Sequence, residues 1–294
     1  MTAANRIAGE RGLAAALFLH MHGLLALGAA AQRWWIGELG PATNTQGIMA
    51  AALATLSGYG YLRLVRAAEP DIIPSAHIHW IRRYRFAMMV LVGLSALAAV
   101  LLCWGQFLVF GPWSLAVVAL LGLYLLPLQG AEGRSIGLRE IPGLKALLVA
   151  AGWTFVTMGV TTDVPGDGAG FDGWIAAMQF CFFLALAIAT DIGDLQYDRP
   201  GLKTIPQVLG IRGAKVLAVV LLLPGIWYYI VLMALSTVGD AGIPFKFFLP
   251  LLGLVVTVIG ISMVQVHRPK WLFAILLDGM VLLIPLLGLL GEQV

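Results

Sequence analysis

Apolar residues in this chain come in blocks of about 20, the length an α-helix needs to cross the hydrocarbon core of a bilayer. Nine such blocks run along the 294 residues, at approximately 12–32, 45–65, 84–106, 110–129, 143–162, 171–192, 213–236, 245–266 and 271–290. In lipid, every backbone N–H and C=O must find its partner within the protein, so blocks of this kind can only be helices. The expected fold is therefore all-α: a polytopic membrane protein with nine transmembrane helices in one bundle. Residues 1–294 read as a single transmembrane domain, with no soluble domain attached. Composition agrees: 11% of the residues are charged, against about a quarter in soluble domains, and mean hydropathy is +0.92. The net charge of +3 is dispersed along the chain, which argues against a nucleic-acid surface. Cys103 and Cys181 lie inside apolar blocks and read as small hydrophobes. Arg6, Arg11 and the Ala29-Ala30-Ala31 run imitate a leader peptide, but the first block is expected to be a membrane helix.

The loops give a second, independent constraint. With the N-terminus in the cytoplasm, 18 Lys and Arg residues distribute so that only Arg33 and Lys246 fall in outer loops. Such a bias obeys the positive-inside rule, and an incorrect helix count would scramble it. Trp34, Trp35, Trp113 and Trp174 fall at outer boundaries, where indole rings anchor helices to the interface. Nine spans put the C-terminus outside. The expected location is the cytoplasmic (inner) membrane of a bacterium, with membrane lipid as the surrounding partner. The inner loops hold most of the charge, so an active site belongs on that side.

The sixth block ends in the sequence Asp191-Ile192-Gly193-Asp194-Leu195-Gln196-Tyr197-Asp198-Arg199-Pro200-Gly201-Leu202-Lys203-Thr204. On a helix, Asp191, Asp194 and Asp198 fall within roughly 60° of one another. Carboxylates at a helix C-terminus oppose the macrodipole, so three of them there are not a stabilising device. Stacked acids where a membrane helix meets water suit Mg²⁺, which takes one or two carboxylates plus phosphate oxygens. Pro200-Gly201 ends the helix, leaving Lys203 free to turn back towards the acids. The alternative is a solvated helix end with an internal ion pair.

This stretch resembles the second Asp-rich motif of the UbiA-type intramembrane prenyltransferases. The resemblance implies a nine-helix UbiA-like bundle around a central cavity, open to the cytoplasm and laterally to lipid. It implies Mg²⁺ as cofactor, an isoprenoid diphosphate as prenyl donor and a lipophilic acceptor. Asp194 and Asp198 match the paired carboxylates, Asp191 the polar residue before them, and Lys203 the basic residue after them. The implied catalytic and metal-binding set is therefore Asp191, Asp194 and Asp198, with Lys203 beside it. The loop after the fourth block is similar too: Tyr124 at a helix end, then Arg139 and Lys145 before the next helix. Tyr124, Arg139, Lys145 and Arg199 are the implied diphosphate contacts, while Tyr124 reads equally well as an interfacial anchor.

The chain departs from that family after the second block. The first Asp-rich motif should fall near residues 55–71, but the sequence there contains Arg63 and Arg66, and its acids, Glu69 and Asp71, lie in the loop beyond. The following Ile72-Ile73-Pro74-Ser75 run still resembles the family. Arg63 and Arg66 offer a guanidinium clamp for phosphate in place of a second metal; the plain alternative is that they only set topology. Two functions follow. One is Mg²⁺-dependent prenyl transfer, with a terpene cyclase as a variant on the same scaffold. The other is a catalytically silent relative, serving as a subunit of a membrane complex with partner subunits or as an isoprenoid- or pigment-binding protein.

Isolated polar residues complete the reading. His20 and His22 point about 200° apart on a helix and cannot share a metal. His77 and His79, with Arg82, Arg83 and Arg85, suit anionic lipid headgroups. Asp278 is a lone acid inside the ninth block, expected to face a wet cavity. Gly288 and Gly291 have the small-residue spacing of closely packed helices.

Overall fold

The computed structural model describes residues 23–39, 45–68, 76–110, 119–120, 122, 141, 143–159, 173–195, 204–237, 244–266 and 274–293. They form α1 (Gly23–Leu39), α2 (Thr45–Ala68), α3 (Ala76–Arg83), α4 (Arg85–Phe110), α5 (Leu144–Thr154), α6 (Gly173–Asp194), α7 (Ile205–Ser236), α8 (Phe245–Met263) and α9 (Gly279–Glu292). A π-helical turn, Phe155–Gly159, prolongs α5, and another, Ala274–Asp278, leads into α9. Among the described residues, α2, α4, α6, α7 and α8 are each long and apolar enough to cross a membrane. The chain is an all-α integral membrane protein. The predicted span at 110–129 and the first half of the span at 12–32 lie largely outside the described residues.

The elements close into a ring. Around it, α2 packs on α1, α1 on α9, α9 on α8, α8 on α7, α7 on α6 and α6 on α5, with the first π-turn returning to α1 and α2. Helix α4 lies along α2 and turns Phe86, Leu94 and Trp104 outward, as a lipid-facing helix should. Helix α6 is the buried element: 72% of its apolar window is covered by protein, against 22–33% in the other four long helices. It also touches the π-turn before α9. The acidic end of α6 is thereby carried at the centre of the bundle.

Glycine sets the closest approaches. A Cβ on Gly288 would overlap the Trp35 ring, and one on Gly291 would overlap the backbone at Phe245. Without side chains at these points α9 can lie against α1 and the start of α8, the small-residue packing that membrane helices use. At that end Lys246 joins two helix C-termini: its Nζ is 2.5 Å from Glu292 Oε1 and 3.8 Å from Glu38 Oε2.

Two boundaries differ clearly from the sequence expectation. The first span was placed to end at residue 32, yet α1 continues to Leu39. Arg33 does not lie in an outer loop: it is 1% exposed, and its Nη1 donates to the Thr157 carbonyl at 3.2 Å. A protein carbonyl meets the guanidinium inside the bundle, so the charge does not end the helix. Trp35, expected as an interfacial anchor, is fully buried and donates to Tyr229. The seventh span begins at Ile205 instead of 213, because Gly210 (φ 72°) accommodates a kink that leaves one short helical turn before it. Gln207 Oε1 accepts the Thr204 N–H at 3.1 Å and closes that turn.

The loop after α2 contains a short helix that the apolar blocks did not reveal. Ile78 and Ile81 of α3 are buried against Ala67 and Met88. Arg82 Nε donates to the Ala67 carbonyl at 2.9 Å, placing a cation on the negative end of α2. His79, Arg83 and Arg85 remain exposed on its other side.

Candidate functional site

Asp191 sits one turn before the end of α6 and its side chain is only 5% exposed. A carboxylate in that position needs a partner, and Lys145, in the first turn of α5, supplies one: Nζ is 2.6 Å from Asp191 Oδ1. Gly143, in the left-handed conformation at φ 71°, starts α5 at this point. The Lys145 side chain is itself 30% exposed, so the pair lies at the edge of the protein interior.

Asp194 ends α6 and is half-buried. Arg63 on α2 interacts electrostatically with Asp194, with Asp278 from the π-turn before α9, and with Arg66. Asp278 is half-buried and feels the Arg63 charge in return. Arg66 is exposed at the end of α2. Four elements, α2, α5, α6 and the second π-turn, thus bring Arg63, Lys145, Asp191, Asp194 and Asp278 to one end of the ring.

A layer of aromatic side chains lies deeper in the bundle. Tyr59, one turn before Arg63, accepts the Trp153 indole N–H at 3.1 Å. Trp153 stacks on Phe183, with centroids 4.9 Å apart and planes at 20°. Phe183 precedes Asp191 by eight residues, about 12 Å along the helix. The charged end of the site is therefore backed by an apolar aromatic floor.

Of the residues singled out from the sequence, Asp191, Asp194, Arg63 and Lys145 come together here, and Arg66 stands nearby. Asp198, Arg199, Lys203, Tyr124 and Arg139 lie outside the described residues, as do His20 and His22. Among the described residues no three of His, Cys, Asp and Glu are placed to share a metal ion. Asp194 offers hard oxygen donors of the kind Mg²⁺ takes, whereas one oxygen of Asp191 is already engaged by Lys145. In the sequence Asp278 stands as an isolated acid, and Tyr59 belongs to no motif. The signal for Tyr59 was its position four residues before Arg63, which puts both on one face of α2.

The structure was compared with solved structures. The apo structure of a UbiA homologue from Aeropyrum pernix K1 superposes with a TM-score of 0.62 at 15% identity, covering 92% of this chain and 97% of that one. A UbiA homologue from Archaeoglobus fulgidus, solved bound to GPP and Mg²⁺, superposes with a TM-score of 0.61 at 14% identity, covering 95% and 99%. The chain has the UbiA fold. No family model matches its sequence, and no curated protein does. In the UbiA fold of this chain, α6 and its acids occupy the centre, and the likeness extends over the whole bundle.

Proposed function

We propose that this chain is a UbiA-type enzyme that transfers a prenyl group from an isoprenoid diphosphate to a lipophilic acceptor within the membrane. The observation that supports this most is the placement of Asp194 beside Arg63 at the charged end of a UbiA fold, above an aromatic floor. Asp194 and Asp198 would hold Mg²⁺, whose charge would offset that of the diphosphate oxygens. Asp191 keeps Lys145 in place, and this ammonium would contribute to holding a phosphate. Arg63 stands where the family's first Asp-rich motif is expected and donates to a second phosphate oxygen. By resemblance, Arg66, Arg139, Arg199, Lys203 and Tyr124 would supply further contacts to the diphosphate. Heterolysis of the C–O bond leaves its electron pair on the diphosphate, and these fixed cations stabilise that charge as it develops. The prenyl chain extends over the apolar floor, and the acceptor attacks the allyl carbon and loses a proton. The charged end would face the cytoplasm of a bacterial inner membrane, an orientation that the positive-inside bias supports.

One observation favours a second reading. Arg63 and Lys145 are each compensated by an acid within the protein, as they would be in a silent relative that retains the bundle as a complex subunit. Labelled geranyl diphosphate and longer prenyl diphosphates, added to membranes containing the protein, distinguish the two. The enzyme reading expects Mg²⁺-dependent binding and turnover in wild type. Asp194→Ala and Asp198→Ala should lower it by more than about 100-fold, beyond the 10–100-fold typical of removing a second-layer partner. Wild type that neither binds nor turns over any of them leaves the silent subunit; mutants as active as an active wild type refute the site.

A further inference from the structure

About 22 Å along α6 from Asp194, towards the opposite end of the bundle, a small cavity lies between α1, α6, α7, α8 and α9. Its polar lining is Gln32, Gln179 and Tyr229, each at most 5% exposed. Their hydrogen bonds can be followed group by group. Gln32 Nε2 donates to the Val281 carbonyl at 3.0 Å, which fixes which way round that amide sits. Its oxygen must then accept, and Gln179 Nε2 donates to it at 3.3 Å. Gln179 Oε1 is consequently turned away from Gln32, and it is buried without a hydrogen-bond partner. Tyr229 Oη accepts the Trp35 indole N–H at 2.7 Å, which leaves its own proton to give. An orphaned buried amide oxygen carries a desolvation penalty of about 1–3 kcal/mol, and a cavity beside one is where a partner belongs.

The chemistry of that partner follows from what the lining offers. It must donate to Gln179 Oε1 and can accept from the Tyr229 hydroxyl, which is what a hydroxyl group does. No charged side chain lines the cavity among the described residues, so phosphates, carboxylates and amines would arrive uncompensated. The other walls, including Met178, Phe182, Leu221 and Leu254, are apolar. The enclosed part has room for about one or two water molecules and is not sealed, so it fits the end of a molecule whose body continues outward. We propose that this niche binds the terminal hydroxyl of a neutral, bilayer-soluble alcohol or phenol, at a site separate from the acidic cluster. The claim is independent of prenyl transfer: it needs neither Mg²⁺ nor a diphosphate.

The test is photolabelling of the full chain in lipid nanodiscs with an aliphatic alcohol carrying a diazirine (an azioctanol), followed by peptide mapping. Adducts are expected on peptides containing Met178, Leu221 or Leu254. 1-Octanol should compete at least about tenfold better than 1-methoxyoctane, which cannot donate. Gln179→Leu should reduce labelling about tenfold, and Asp194→Asn should leave it unchanged. Tyr229→Phe, which keeps the ring and removes only the hydroxyl, should weaken competition by 1-octanol and provides the reading if Gln179→Leu does not fold. Equal competition by alcohol and ether shows the cavity to be a water or apolar niche and overturns the proposal. Undiminished labelling in the folded Gln179→Leu and Tyr229→Phe proteins overturns it as well. Loss of labelling in Asp194→Asn would place the alcohol at the acidic site and overturn it too.

Discussion

Lys145 and Asp191 show how a membrane bundle retains a charge it cannot solvate. The carboxylate is buried, and the Lys145 ammonium stands 2.6 Å from its Oδ1. Removing that cation leaves an uncompensated acid among apolar neighbours, which typically destabilises by about 3–5 kcal/mol. Lys145 is partly open, so Lys145→Met is expected at the low end, about 3 kcal/mol. Lys145→Met combined with Asp191→Asn should recover most of the loss, because neither change alone removes the whole pair. Unfolding midpoints of the purified variants provide the check. A double variant no more stable than Lys145→Met would show that an unpaired buried acid is not what Lys145→Met costs. The sequence announced Asp191 through its spacing from Asp194 and Asp198, but it could not announce the pair, whose members are 46 residues apart. Arg63 and Asp278 were hidden from each other for the same reason. Each looked like a solitary charge until the ring closed.

At the scale of helices, the apolar blocks located α2, α4, α6, α7 and α8, the helices long enough to cross a membrane, because bilayer thickness fixes how long a helix must be. They located the ends less well. Arg33 was read as the end of a helix because a charge in lipid is costly, yet a backbone carbonyl from the π-turn after α5 meets it inside the protein. Helix α3 escaped notice because eight residues with two buried isoleucines are too short to register as an apolar block. The glycine spacing in α9, by contrast, was legible, since only close approach explains it. It leads to a prediction: Gly288→Leu forces a side chain into the Trp35 ring and separates α9 from α1. Overpacking of this kind costs about 1–3 kcal/mol, read as a lower unfolding midpoint. A Gly288→Leu protein with an unchanged midpoint would mean that the two helices do not meet there.

For the whole molecule, the arrangement is a ring of helices with a charged end and an apolar body, and the acid-bearing helix is the most buried of its long members. Orientation in the membrane follows from which end carries the basic residues. In a background with Cys103 and Cys181 replaced by alanine, His79→Cys should react with an impermeant maleimide only after the cytoplasmic face is opened. Thr237→Cys, exposed at the other end, should react in intact cells, and the reverse pattern would invert the topology. The function proposed here comes down to whether Arg63 exchanges protein acids for a phosphate. A structure determined with geranyl diphosphate and Mn²⁺ in place of Mg²⁺ tests that directly. The expected result is an anomalous peak at Asp194, with diphosphate oxygens within hydrogen-bond distance of Arg63 and Lys145. Saturating ligand with no peak, and Arg63 still engaged only by Asp194 and Asp278, would contradict it.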